Sequence, residues 1–230
     1  MKSYLWIHRV WAGIAIVSLL LVIGTVTGVT SFGWLEVAAF ISGLICVWLV
    51  VVESHWNWPI GNLNAGCFLA MFIIDRLFAN AVLQVVFITL GFWGWYMWLR
   101  KGENQEIRPI GKADNLSLYA SIAFVVLSLY PIQQLLIAVD GAAPFWDTFT
   151  TVLSLAATYL LGKKFVENWY FWITADVIYI ALFYDRGRTL TSILYIFFLA
   201  MAISGLLGWR KAMQNIAQQA LIIEGGTTDV

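Results

Sequence analysis

Charge is scarce in this chain. Of 230 residues only 11% are Asp, Glu, Lys or Arg, while 61% are hydrophobic, and the mean hydropathy is +0.82. No soluble core needs that much apolar surface, and long apolar runs mark a polytopic membrane protein. The formal net charge of zero says nothing about partners, because the charges are sorted by location. Cysteine and histidine are nearly missing. Cys46 and Cys67 lie in apolar runs, which argues against a disulfide or metal site and makes both packing residues. His8 and His55 fall near predicted helix ends rather than deep in helices, where a haem pair would sit. The chain also lacks a phosphate-binding glycine loop, a nucleophile–base pair and a metal-spaced cluster. ATP-driven pumping, catalysis, a cofactor and a nucleic-acid partner are therefore not expected. The N-terminal apolar run is long and no small-residue cleavage site follows it, so it reads as a helix rather than a cleavable signal.

What is present is an all-α pattern of eight predicted spans. They cover about 9–30, 34–52, 57–74, 77–99, 116–139 (with Pro131 as an expected kink), 145–161, 163–184 and 189–209. Residues 100–115, RKGENQEIRPIGKADN, form the one convincing loop, and the tail after Arg210 starts basic and amphipathic before a frayed EGGTTDV. This divides the chain into an extra N-terminal helix (1–33), a first three-helix bundle (34–99), a cytoplasmic loop and linker helix (100–139), a second three-helix bundle (140–211) and a cytoplasmic tail (212–230).

The cations test that count. Lys2, Arg9, Arg100, Lys101, Arg108, Lys112, Lys163, Lys164, Arg210 and Lys211 fall on one side, against Arg76, Arg186 and Arg188 on the other, which accounts for all 13. The positive-inside rule then puts both termini and the long loop in the cytoplasm. Asp75–Arg76 and Asp185–Arg186 read as local pairs at helix ends.

The organising stretch is Lys163–Tyr184, KKFVENWYFWITADVIYIALFY, which places Asp176 near mid-depth of a helix that could nearly cross a bilayer. A charged side chain there costs on the order of 3 kcal/mol, so it marks a functional site unless it pairs with a neighbouring helix. Trp169, Trp172 and Asp176, spaced i, i+3, i+7, share one helical face, with Glu167 and Asn168 at its mouth. An acid beside indoles suits a flat, cationic, hydrogen-bonding small molecule. Interfacial packing of the tryptophans is the plainer alternative.

Two parts of the chain resemble each other at a separation of about 111 residues. Asn57-Trp58 answers to Asn168-Trp169, and Gly94-x3-Trp98 to Gly205-x3-Trp209. On this reading Asn64 falls opposite Asp176 and Gln84 opposite Tyr195. Three spans, one linker and three spans make parallel repeats, a known transporter plan with substrate held near the midplane.

The run Glu167-Asn168-Trp169-x2-Trp172-x3-Asp176 resembles the signature of the PnuC-type vitamin transporters, as do Phe145-Trp146-Asp147, Leu83-Gln84-Val85 and Gly94-Trp95-Tyr96-x-Trp98. The resemblance implies a SWEET-like 3+1+3 core, a homotrimer in the bacterial cytoplasmic membrane with lipid around it, and facilitated diffusion of nicotinamide riboside, which cytoplasmic kinases then trap. Some relatives have Asn where this chain has Asp176, and others carry thiamine or related compounds. Trp169 and Trp172 would stack on the pyridinium, Asp176 would balance its charge or accept from the ribose, and Asn64, Asn168, Gln84 and Tyr195 would meet the amide and diol. Asn64 and Gln84 fit a helix–helix hydrogen bond equally well. Trp95, Tyr96 and Trp98 read as an interfacial belt. A membrane enzyme or haem protein, or a sensor that binds without moving its ligand, are the rival classes.

Overall fold

The computed structural model describes residues 2–30, 32–75, 78–101, 108–138, 145–185 and 189–226. Regular structure among them is helical: α1 (Lys2–Val26), α2 (Trp34–Val51), α3 (Asn57–Ile74), α4 (Phe78–Leu99), α5 (Asn115–Ala138), α6 (Phe145–Gly162), α7 (Asn168–Asp185) and α8 (Thr189–Gly226). Stretches in α1, α2, α4, α5 and α8 are long and apolar enough to cross a membrane. The other three helices are more polar inside. α3 carries Asn57, Asn62 and Asn64, α7 carries Asn168, Thr174 and Asp176, and α6 carries a buried hydroxyl stripe, Thr150, Ser154 and Thr158. Each hydroxyl of that stripe donates to the carbonyl four residues back, at 2.8–2.9 Å, so these three polar groups are satisfied within α6 and can be buried.

Four boundaries differ from the expectation. α1 begins at Lys2 rather than near Arg9, and ends at Val26. There Thr25 and Thr27 return hydroxyls to Leu21 and Ile23, and Gly28 takes φ +71°. α7 starts at Asn168 and not Lys163, because Lys164 is left-handed (φ +54°) and ends α6. Its N–H reaches Leu161 O and the next N–H, that of Phe165, reaches Leu160 O, the bond pair of a Schellman cap. α8 does not stop at Trp209 but runs 38 residues to Gly226. At 1.5 Å per residue it is longer than a bilayer core is thick, so its last turns lie beyond the apolar slab. The segment 108–113 is not a free linker. Ile110 is buried, Gly111 bonds to Lys164 O and Val166 N, and Ala113 N–H donates to Glu167 Oε2 at 2.8 Å. Asp114 then caps α5 through the Ser117 N–H, and the Ser117 hydroxyl together with that N–H holds its carboxyl below the usual range. Arg76, Arg186 and Arg188 lie outside the described residues, and with them the two expected local pairs.

The helices α2, α3 and α4 pack in sequence, as do α6, α7 and α8. Between these two sets the contacts are α2 with α8 and α4 with α6. α5 lies on α6, and α1 lies on α2, with Trp11 edge-on to Trp48.

Candidate functional site

One end of the helix assembly is closed by tryptophans. Trp58, Trp98, Trp209 and Trp169 form a continuous row, with ring centroids 5.7, 6.2 and 5.5 Å apart in that order. Each is at most 4% exposed. The expected interfacial belt therefore does not hold for Trp98, which is 2% exposed and core. The row fits because two glycines make room for it. A Cβ on Gly94 would lie 2.2 Å from Trp58, and one on Gly205 would lie 2.3 Å from Trp169. Trp98 donates its indole N–H to Leu161 O at 3.0 Å, and Trp209 donates to Val50 O at 3.2 Å. Beside the row Lys164 Nζ meets Glu53 Oε1 at 2.8 Å and sits 4.7 Å from the Trp98 ring centre. Glu53 is left-handed too (φ +57°), ending α2 through the same pair of cap bonds that Lys164 makes at α6.

Farther in lies a polar cluster. Asp176 is 6% exposed and is buried without an ion-pair partner among the described residues. Its carboxyl is within electrostatic reach of Tyr179 and Tyr195, whose rings are 4.6 Å apart. The Tyr179 hydroxyl lies near the hydroxyls of Thr150 and Ser154 on α6. Tyr195 packs edge-on to Phe198 at 5.6 Å. Phe198 in turn approaches Gly43, where the side chain of Asn64 also lies. The α2–α8 seam thus links the Asp176 cluster to Asn64 in the other set of helices.

The eight expected site residues separate into groups. Asp176 and Tyr195 come together. Trp172 is half-buried against the tryptophan cluster one turn before Asp176. Trp169 sits in the closed row, its N–H without an acceptor among the described residues. Asn168 is fully buried and returns its amide to Phe165 O at 2.6 Å, as Asn57 does to Ser54 O at 2.7 Å. Glu167 holds the 108–113 segment. Asn64 donates to Ala39 O and to Ser42 Oγ. Gln84 is half-buried on α4. Grooves of about 380 and 290 Å³ lie at the outer surface, one along α6 and α7 and one by Gly33 and Asp75, and neither includes an expected site residue. Tyr179, Thr150 and Ser154 were not anticipated. The hydroxyl spacing in α6 and the i, i+3 step from Asp176 to Tyr179 were the available signals.

The family model described as nicotinamide mononucleotide transporter matches residues 33–211. The chain belongs to this family. The nicotinamide riboside transporter PnuC of Escherichia coli strain K12 is 30% identical over 216 residues, covering 82% of this chain and 90% of that protein. The riboflavin/roseoflavin transporter RibM of Streptomyces davaonensis is 24% identical, over 76% of this chain and 84% of that one. A crystal structure of the vitamin B3 transporter PnuC superposes with a TM-score of 0.70 at 20% identity, over 94% of this chain and 93% of the other, a likeness of fold. A member of this transporter family, with several apolar helices, is a multi-pass membrane protein. The matched stretch leaves α1 and the end of α8 outside the family model.

Proposed function

We propose that the chain carries nicotinamide riboside across a bacterial cytoplasmic membrane by facilitated diffusion and is not an enzyme. The observation that carries the substrate is Asp176, a buried carboxylate among aromatic rings with no protein cation paired to it among the described residues. A buried charge needs a counter-charge, and a flat cationic ring between tyrosines and Trp172 provides one. The names of the Escherichia coli, Neisseria mucosa and Haemophilus influenzae relatives, all nicotinamide riboside transporters, agree with it. The Streptomyces relative, named for riboflavin, keeps another vitamin as the second reading.

Passive transport is supported by the shortage of titratable groups. Among the described residues the buried charged side chains are Asp176 and Lys164, and Lys164 is already paired with Glu53 at a helix end. A proton or sodium relay would need more.

The site lies between two parallel repeats, α2–α4 and α6–α8, with α5 as linker and α1 added, all eight helices spanning the membrane. Glu53 and Lys164 are 111 residues apart, and the same separation relates Val50 to Leu161, Trp98 to Trp209 and Asn57 to Asn168. Contacts α2–α8 and α4–α6 exchange under that relation, which supports a two-fold axis along the membrane normal. At a constant 111, however, Asn64 corresponds to Ala175 and Ala65 to Asp176, so the expected pairing of Asn64 with Asp176 is one residue out. Cytoplasmic termini and a homotrimer complete the proposal.

The test is uptake of labelled nicotinamide riboside into proteoliposomes with proton and sodium gradients collapsed. Equilibration of the substrate is expected. Accumulation above equilibrium that depends on either ion refutes passive transport, and uptake of riboflavin without nicotinamide riboside replaces the substrate.

A further inference from the structure

The closed end has properties that packing alone does not need. Glu53 and Lys164 are the non-glycine residues with left-handed backbone among the described residues. That conformation is costly for side chains with a Cβ, and glycine would relieve it. Retained strain of this kind points to function. Both strained residues place their side chains against each other across the seam between the helix sets, with Lys164 4% exposed. An apolar pair would seal the same spot without desolvating an ammonium. An ion pair differs from an apolar contact in one respect: when water enters, each partner is solvated rather than left exposed, so the contact can part and re-form.

The neighbouring bonds have the same character. Trp98 and Trp209 each donate one hydrogen bond across the seam, to Leu161 O and Val50 O. All these links lie at the end that carries Arg100, Lys101, Lys163, Arg210 and Lys211. The polar cluster lies deeper: Asp176 is eight residues into α7, about 12 Å along the helix. A substrate moving between that cluster and the lysine-rich side must pass the tryptophan row.

We propose that Glu53–Lys164, with the crossed indole bonds of Trp98 and Trp209, is the releasable gate at the lysine-rich end, and that this structure has that gate shut. The proposal rests on the transport reading above. The pair is two-fold in design. Lys164 lies over Trp98, and at the 111-residue separation position 53 corresponds to 164 and Trp209 to Trp98. Exchanging the charges therefore keeps the pair under that correspondence, and both backbones already hold a side chain with a Cβ in the left-handed region.

The test uses the full chain with Cys46→Ser, Cys67→Ser and Ser42→Cys as reporter, since Ser42 is buried beside Asn64. A membrane-impermeant maleimide is applied to vesicles of each orientation. Glu53→Lys should raise the labelling rate at least fivefold from the lysine-rich side and leave it unchanged from the other. The double exchange Glu53→Lys with Lys164→Glu should return it to within twofold of the parent. Trp209→Phe, which keeps a ring and loses the donor, should also raise it, and covers the case in which Glu53→Lys does not fold. Parent-like labelling in folded Glu53→Lys and Trp209→Phe, or a double exchange that fails to restore the rate, overturns the gate. Labelling as expected in a parent that takes up no nicotinamide riboside supports the gate and refutes the substrate.

Discussion

Trp98 and Trp209 face each other with ring centroids 6.2 Å apart, and each gives its indole N–H to a backbone carbonyl on the far side of the seam. Each also rests edge-on against a second tryptophan of its own helix set, Trp58 or Trp169. The row is buried, and its geometry depends on the absence of two side chains.

Those absences give the first prediction. Gly205→Ala and Gly94→Ala should each destabilise the protein by about 1–3 kcal/mol, the usual cost of overpacking a filled core. Gly208→Ala is the control, because a Cβ there meets nothing within 4 Å. Thermal unfolding in detergent should lower the midpoint for the first two and leave the third near the parent. If Gly205→Ala unfolds with Gly208→Ala, the row is looser than described.

The second prediction concerns Glu167, which accepts the Ala113 N–H. A charge-assisted bond of this kind contributes about 1.5–3 kcal/mol when partly buried. Glu167→Ala should release the 108–113 segment from the α6–α7 turn and make it a faster site of limited proteolysis. Glu167→Gln, which keeps an acceptor, should fall between. Equal cleavage of parent and Glu167→Ala would mean that Gly111 alone holds the segment.

Much of this was legible from residue order. Helix number, the α2, α3 and α6 ranges to within a residue, and the burial of Asp176 follow from hydropathy and spacing. Three things did not. The start of α7 at Asn168 was hidden because KKFVE carries no glycine or proline, and the left-handed turn uses Lys164 instead. The place of Trp98 was hidden because an indole near a basic residue reads as interfacial. Only the fold brings Leu161 O within reach of its N–H. The partners of Asp176 were half visible. Tyr195 was expected, whereas Tyr179 with Thr150 and Ser154 needed the packing of α6 on α7.

The third prediction separates the two kinds of tryptophan. Trp172→Ala should weaken nicotinamide riboside binding about tenfold with the fold intact, in keeping with a stacked cation contact of about 1–2 kcal/mol. Trp98→Ala should instead cost about 3–5 kcal/mol of stability, the range for emptying a buried indole site. Titration calorimetry and thermal unfolding on the same preparations distinguish them. Matching stability losses with unchanged affinity in Trp172→Ala would place Trp172 in the core rather than the site.

The last prediction concerns the charge on Asp176. A carboxylate in a low-dielectric interior attracts a cation far more strongly than it would in water. Asp176→Asn keeps the size and one acceptor and removes only that charge. Nicotinamide riboside, with its pyridinium, should then bind at least tenfold more weakly, while the uncharged reduced riboside should lose less than threefold. The variant should fold at least as well as the parent without ligand, because a buried, unpaired carboxylate opposes folding. Calorimetry with both ligands, on parent and variant, gives the four affinities. The ratio of the two losses reports the charge, and a uniform loss reports a hydrogen bond instead. Should Asp176→Asn bind both ligands as the parent does, the carboxylate faces protein rather than substrate, and the site must be sought elsewhere along the α2–α8 seam.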